Sequence, residues 1–314
     1  MKHDILITAK AHKGTFERLV QEFSAVTLFD AADRAATLKA AAPRVRGLAH
    51  TGHLHVDAAL MDALPKLEII SNFGVGVDQI DLAAAKQRGI LVTNTAGVLN
   101  ECVADCAMAL VLNTLRKIPQ SNAHLRAGLW LKGGYPLTTS LGGKTLGILG
   151  LGRIGEAIAK RAQAFGMVIR YHNRNPKNVP FAYDPDAVTL AKNSDVLMVI
   201  TPGGAETDKL VNAQVLDALG PQGYLINVAR GSVVDELVLL RYLQQNKIAG
   251  AGLDVFEHEP KVPPEFLTLD NVVLTPHIAS ATLETRKAMG DLQVENLHLH
   301  FAGQPVKTPV APVI

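Results

Sequence analysis

Four short stretches of this chain carry residue types that could do chemistry, each at the end of a predicted strand. The first is Gly150-Leu151-Gly152-Arg153-Ile154-Gly155, directly after the apolar run TLGIL and directly before a helical pattern. In that setting Gly150 permits a tight turn, Gly152 lets a pyrophosphate approach the backbone, and Gly155 lets the helix pack on the strand. The helix start adds free amides and a positive dipole. The other three are NVARGSVVDE around Arg230, LDVFEHEP around Glu259 and LTPHIAS around His277. A guanidinium can hold and polarise a carboxylate with its adjoining keto oxygen, and an imidazolium can protonate the alkoxide that forms. A carboxylate beside such a ring orients it and favours its charged form. Taken singly these residues are ambiguous, because a strand-end arginine often forms a surface ion pair and the chain has 11 histidines. Their joint order and context carry the reading.

The strand after the glycine turn ends in Tyr171-His172-Asn173-Arg174. NAD-binding versions of this turn usually place an acidic residue there, about 20 residues past the glycines, to bond the ribose 2'-hydroxyl. Here Arg174 can make charge-assisted hydrogen bonds to a 2'-phosphate and Asn173 can donate an amide hydrogen. NADP(H) is therefore expected in preference to NAD(H), the alternative being that Arg174 is a solvated surface residue.

The elements that must position these residues alternate from the start. DILITA, VTLF, VRGLAH, LEIIS and ILVTN read as strands separated by helices, the order of a parallel sheet covered by helices. Near Asn100 a long helical segment, NECVADCAMALVLNTLRKI, follows, with Asn100 as its N-cap and Pro119 near its end. A second series has six strands, TLGILG, VIRYHN, VLMVIT, GYLINVAR, AGLDVF and VVLTPH, which suits a doubly wound dinucleotide fold. One more helix over 282–301 is expected to return the tail to the first domain. The fold class is thus α/β: two Rossmann-like, doubly wound parallel-sheet domains with the active site in the cleft between them. The substrate-binding, flavodoxin-like domain comprises 1–99 plus 283–314, and the dinucleotide-binding domain 100–282.

Length and composition agree. At 314 residues, 48% hydrophobic and 19% charged, the chain reads as two ordinary globular domains. A formal net charge of +2 without a long basic run gives no nucleic-acid footprint. Apolar runs such as 196–201 fall far short of the ~20 residues of a membrane span, and the start MKHDILITAK lacks a signal-peptide pattern. Cys102 and Cys106, one helical turn apart in an apolar stretch, are expected to be buried, reduced thiols, which fits a cytoplasmic location and no metal site.

The four motifs, in this order, resemble the D-isomer-specific 2-hydroxyacid dehydrogenase family: LGILGLGRIGEAIA, the block 219–235 ending NVARGSVVD, GLDVFEHEP and LTPHIASAT. The front domain adds LPKLEIISNFGVGVDQIDL, which is similar to that family's substrate loop, so the resemblance covers essentially the whole chain. It implies that Arg230 binds the keto oxygen and carboxylate, and that His277 is the proton donor in reduction with Glu259, immediately before the proline, as its partner. The backbone amides of Val75 and Gly76 would receive the substrate carboxylate. Asp254 would contact the nicotinamide carboxamide, Val228 and Ala229 would lie beneath the nicotinamide, and His277 and Ser280 would also bind the cofactor. Thr201, Pro202 and Thr207 would line the adenosine and phosphate, and Leu151, Arg153 and Ile154 would complete the turn.

Within the family the strand end and TTSLGGKTLGILGLGRIG resemble the NADPH-dependent glyoxylate/hydroxypyruvate reductase branch and its hydroxyphenylpyruvate reductase relatives. Glyoxylate and hydroxypyruvate are the expected substrates, with phenylpyruvate-like acids next. The loop 129–136, with Trp130 and Tyr135, resembles an arm that wraps a second subunit, which implies a homodimer; the alternative is an aromatic buried in its own subunit. Two other readings stand beside this one, a dinucleotide-sensing binding protein of the co-repressor type and a phosphite or amino-acid-type dehydrogenase.

Overall fold

The computed structural model describes residues 2–10, 12–52 and 54–310; positions 311–314 of the expected front-domain tail lie outside them. The chain divides into two compact units, one made of residues 1–99 with the segment from Thr282 onward, the other of Asn100–Ala281.

In the first unit β1 (Asp4–Ile7), β2 (Ser24–Thr27), β3 (Gly47–His50), β4 (Ile69–Asn72) and β5 (Leu91–Thr93) form one parallel sheet in the order β2-β1-β3-β4-β5. Strands β3 and β4 are buried at every position, which is why they read as apolar runs without alternation. The helix Leu283–Phe301 closes one face. Its Val294 and Leu297 pack with Ile5, Ile7 and Ile69, and the Thr282 side chain caps it by accepting from the Thr285 N–H. Buried Gln293 on the same helix donates to the backbone oxygens of His50 (3.0 Å) and Ser71 (2.8 Å), tying it to two strands.

The second unit holds β6 (Thr145–Leu149), β7 (Val168–His172), β8 (Ala182–Tyr183), β9 (Val196–Val199), β10 (Tyr224–Asn227), β11 (Gly250–Leu253) and β12 (Val272–Leu274). All are parallel, in the order β12-β11-β10-β9-β6-β7-β8. The order reverses between β6 and β9, so the loops leaving their carboxyl ends diverge and open a crevice there. The sheet has a seventh strand beyond the six expected: β8 is two residues long and too short to leave a periodic signal.

The long helical segment is two helices, Asn100–Arg116 and Ile118–Arg126, separated by Lys117 in a left-handed conformation. Pro119 stands in the first turn of the second helix, where its missing N–H costs nothing, and so starts that helix instead of ending the first. Asn100 is the first helical residue. Cys102 and Cys106 form no disulfide and are half-buried, not buried as expected. Burial pushes the Cys106 thiol up to about 11, which leaves it protonated at neutral pH. Among the described residues no helix is long and apolar enough to cross a membrane.

Candidate active site

The glycine turn leaves the carboxyl end of β6, at the sheet's reversal point. Gly150 has φ +105°, and a Cβ there would lie 2.7 Å from the Thr201 backbone nitrogen, so only glycine lets the β6 and β9 loops touch. A Cβ on Gly155 would lie 2.7 Å from the Gly150 oxygen, which explains the helix's close approach to the strand. Gly152 differs: nothing stands within 4 Å of a Cβ built on it, and it begins the helix Arg153–Ala164 without a side-chain cap. Open space above uncapped first-turn amides, at the positive end of a helix, fits the pyrophosphate of a dinucleotide.

Around the turn the expected cofactor residues have distinct parts. Asn173 accepts from the Leu151 N–H at 2.7 Å and donates to the Leu151 oxygen at 3.3 Å, so its amide braces the turn. The brace uses the side-chain oxygen and one of the two Nδ2 hydrogens. Arg174 is largely exposed and pairs with Glu206 at 2.7 Å, in the loop after β9. An exposed ion pair of this kind is worth about 0 to 1 kcal/mol, so the guanidinium exchanges partners at little cost. Lys177 also reaches the turn, donating to the Leu151 oxygen at 3.2 Å and bonding Glu156. Thr207 donates to the Pro202 oxygen at 2.7 Å and so closes the loop that begins at Thr201. Val228 and Ala229 are buried at the end of β10.

The catalytic candidates come from three adjacent loops of the same sheet. At the end of β10, Asn227 accepts from the Ala229 N–H at 3.0 Å and donates to the Arg230 oxygen at 2.9 Å, fixing the backbone that carries Arg230. Arg230 Nη1 donates to the Ala229 oxygen at 2.7 Å. After β11, Glu259 turns back so that its Oε1 accepts from the Phe256 N–H at 3.1 Å. After β12, His277 Nδ1 meets Glu259 Oε2 at 2.7 Å. The structure thus joins the histidine to the carboxylate assigned to it, and not to the neighbouring Glu257. A carboxylate only accepts, so Nδ1 carries the hydrogen and Nε2 is the nitrogen left for a substrate.

Two features that composition could not reveal hold this arrangement. His277 has φ +51°, a left-handed conformation that costs a β-carbon residue about 1 to 2 kcal/mol. Asp254 offsets it: its carboxylate accepts from Thr275 Oγ1 (2.6 Å), Ile278 N (2.8 Å) and Ala279 N (2.9 Å), and its backbone oxygen accepts from His277 N (2.8 Å). The side chain expected at the nicotinamide carboxamide is 0% exposed here and is committed to the loop that carries the histidine. Ser280 follows that loop directly, and Cys102 donates its thiol hydrogen to the Ala279 oxygen at 3.2 Å.

The second feature is Gly231. A Cβ there would fall 1.9 Å from the Phe256 carbonyl carbon, so the Arg230 loop lies directly on the backbone leading to Glu259. Buried Glu236 ties the same two loops by accepting from the Glu257 N–H at 3.0 Å, and burial raises its carboxyl above the usual range. In the other unit, Val75 and Gly76 lie in the loop after β4, half-buried.

Comparison with known proteins agrees with this geometry. The model of the D-isomer specific 2-hydroxyacid dehydrogenase NAD-binding domain matches residues 108–279. The chain is 49% identical to hydroxyphenylpyruvate reductase of Plectranthus scutellarioides over 86% of each chain. It is 46% identical to glyoxylate/hydroxypyruvate reductase A of Arabidopsis thaliana, over 93% of this chain and 94% of that one. Among solved structures, the NADPH-dependent glyoxylate/hydroxypyruvate reductase of Sinorhizobium meliloti, in complex with NADP and malonate, superposes with a TM-score of 0.94. It is 50% identical and covers 99% of this chain and 98% of its own. With the glycine turn at the sheet's reversal point and the arginine, glutamate and histidine on its neighbouring loops, the chain belongs to the D-isomer specific 2-hydroxyacid dehydrogenase family.

Proposed function

We propose that this protein is an NADPH-dependent reductase of small 2-keto acids, acting on glyoxylate and hydroxypyruvate. The observation that carries the reading is the His277 Nδ1 to Glu259 Oε2 contact of 2.7 Å, which leaves Nε2 of a 45% exposed ring side chain available to a ligand. Arg174, on an easily exchanged surface pair, supports the preference for a 2'-phosphate, with NAD(H) as the weaker cofactor. The names of the glyoxylate/hydroxypyruvate reductases support the substrate class. The 49% identity to hydroxyphenylpyruvate reductase favours aryl-pyruvates as a second class.

A bound reduced nicotinamide supplies hydride to the keto carbon. Val75 and Gly76 offer backbone amides to the substrate carboxylate. Arg230 holds the keto oxygen and carboxylate, and His277 delivers the Nε2 proton to the oxygen as negative charge grows there. Glu259, bonded to Nδ1, keeps the ring turned so that Nε2 faces away from it. In the oxidative direction neutral His277 takes the proton back. Leu129, Trp130, Leu131 and Leu137 are exposed around the 3-10 helix Leu129–Lys132, and this apolar set supports a homodimer built on that arm. The reading includes a cytoplasmic enzyme whose half-buried thiols form no disulfide.

The test is a panel of glyoxylate, hydroxypyruvate, pyruvate and phenylpyruvate with NADPH and NADH, followed by loss of nicotinamide absorbance. His277→Ala is expected to lower kcat by about 10²- to 10⁴-fold, far more than it lowers NADPH affinity. Near-normal turnover in that variant, or no reduction of any acid by the parent, overturns the proposal.

A further inference from the structure

The loop assigned above to the substrate carboxylate is held from behind by two asparagines that no motif singles out. Asn72, the last residue of β4 and 6% exposed, donates through Nδ2 to the backbone oxygens of Gly74 (3.1 Å) and Gly76 (2.9 Å). Asn94, just after β5, donates through Nδ2 to the oxygen of Val75 at 3.0 Å. Three consecutive carbonyls are therefore each fixed by a side-chain amide. In a trans peptide the carbonyl and the next residue's N–H point in opposite directions within one plane. Fixing the oxygens of Gly74, Val75 and Gly76 thereby fixes the N–H directions of Val75, Gly76 and Val77. Among the described residues, none of those three N–H groups donates to a protein acceptor. Gly74, at φ +151°, supplies the backbone conformation with which the loop begins.

Asn94 is itself anchored. Its N–H donates to the Thr308 oxygen at 3.1 Å and its oxygen accepts from Thr308 Oγ1 at 2.5 Å. Buried Asn296 donates to that same hydroxyl at 2.9 Å. A chain of hydrogen bonds thus runs from the helix Leu283–Phe301 through the tail and Asn94 to the Val75 carbonyl. Such bracing sets amide directions before a ligand arrives, which lowers the ordering cost of binding.

We infer that Asn72 and Asn94 are positioning residues for the substrate carboxylate, acting through the peptide planes that carry the Val75 and Gly76 amides. The inference rests on the proposal that those amides receive the carboxylate. Asn94→Asp and Asn72→Asp keep the side-chain shape but replace each donor nitrogen with an acceptor facing a carbonyl oxygen. Each is expected to raise KM for glyoxylate and the inhibition constant of oxamate about tenfold, leaving KM for NADPH unchanged. The discriminating readout is the ratio of kcat/KM for phenylpyruvate to that for its methyl ester. Loss of carboxylate positioning lowers this ratio, whereas general damage to the fold lowers both numbers together. Half-buried Asn94 provides the variant least dependent on core packing, and the melting midpoint of each variant confirms folding. An unchanged acid-to-ester ratio in folded Asn94→Asp overturns the assignment. A crystal structure of the parent with NADPH and oxamate separates the two ideas. Oxamate carboxylate oxygens on the Val75 and Gly76 amides, with an unchanged ratio in the variant, overturn only the asparagine assignment; a carboxylate bound elsewhere overturns both.

Discussion

Gly231→Ala is a one-carbon change that should disable catalysis without touching a reacting group. A methyl group there would sit 1.9 Å from the Phe256 carbon, 2.1 Å from its oxygen and 2.2 Å from the Glu257 nitrogen. All three are backbone atoms, so no flexible side chain can swing aside. Restoring ordinary contact requires the two loops to part by roughly 1.5 Å. The Phe256–Glu257 segment cannot retreat freely, because Glu236 holds the Glu257 N–H at 3.0 Å and Glu259 holds the Phe256 N–H at 3.1 Å. The displacement therefore reaches Arg230 on one side and the Glu259–His277 pair on the other. A misplacement of about 1 Å among reacting groups costs about a hundredfold in rate, and kcat of Gly231→Ala is expected to fall by that order. Overpacking of this size also costs about 1 to 3 kcal/mol of stability.

The assay for that change is the initial rate of keto-acid reduction at saturating NADPH, with cofactor affinity measured separately by nicotinamide fluorescence. Affinity should fall far less than kcat, because the glycine turn belongs to the β6 loop and only the nicotinamide-side residues Val228 and Ala229 border the loops being parted. The double variant Gly231→Ala with Glu259→Gln adds a check on the route. If the methyl group acts by displacing Glu259, the double variant is hardly worse than the worse single one. A folded Gly231→Ala enzyme with kcat within about twofold of the parent refutes the reasoning. Full additivity in the double variant refutes the route through Glu259.

Two further perturbations separate other parts of the molecule. Arg174→Ala should raise KM for NADPH about tenfold or more while leaving NADH efficiency unchanged, since a charge-assisted bond is lost to the 2'-phosphate alone; an equal loss with both cofactors defeats it. Burial lowers the pKa of His50 from 6.5 to about 4, so the folded chain keeps the ring neutral where the unfolded chain binds a proton. Its contribution is present above the unfolded value and is lost as pH falls toward the folded one. Between about pH 7 and pH 5 the linkage relation gives a loss of about 2 kcal/mol from this ring. His50→Phe, nearly isosteric and unable to titrate, should therefore lose about that much less stability over the same interval in urea unfolding. A parent-minus-variant difference that stays constant with pH removes His50 as the cause.

What could be read along the chain was what is encoded locally. VLMV and YLIN announce central parallel strands because both faces are buried, leaving no polar alternation to mask them. The glycine turn is legible because its strand, turn and helix are contiguous, and each glycine meets its constraint within one supersecondary unit. Strand β8 has two residues and a partly exposed pattern, so it forms only because β7 is there to pair with it. Pro119 misleads for a related reason: proline marks a helix boundary, but its side of the boundary depends on Lys117 turning left-handed before it.

The site divides along the same line. The arginine, glutamate and histidine proposed for catalysis are legible by type, because the chemistry of polarising an oxygen and moving a proton restricts the choice. The residues that give them direction are not, because their partners stand far away in sequence: Asp254 with the Thr275 to Ala279 loop, Glu236 with Glu257, Asn94 with Val75. Asn173 displays the same limit from the other side. Its amide suits a phosphate by type, yet the Leu151 backbone, brought beside it only when β6 and β7 pair, claims its oxygen and one of its hydrogens. His277 makes the consequence plain. A left-handed histidine is costly by itself, and persists because Asp254 accepts hydrogen bonds from two amides and a hydroxyl of the same loop and from the histidine's own N–H. The ring's aim at Glu259 is thus a property of the folded loop, which is why residue type announced the chemistry while the bracing waited for the fold.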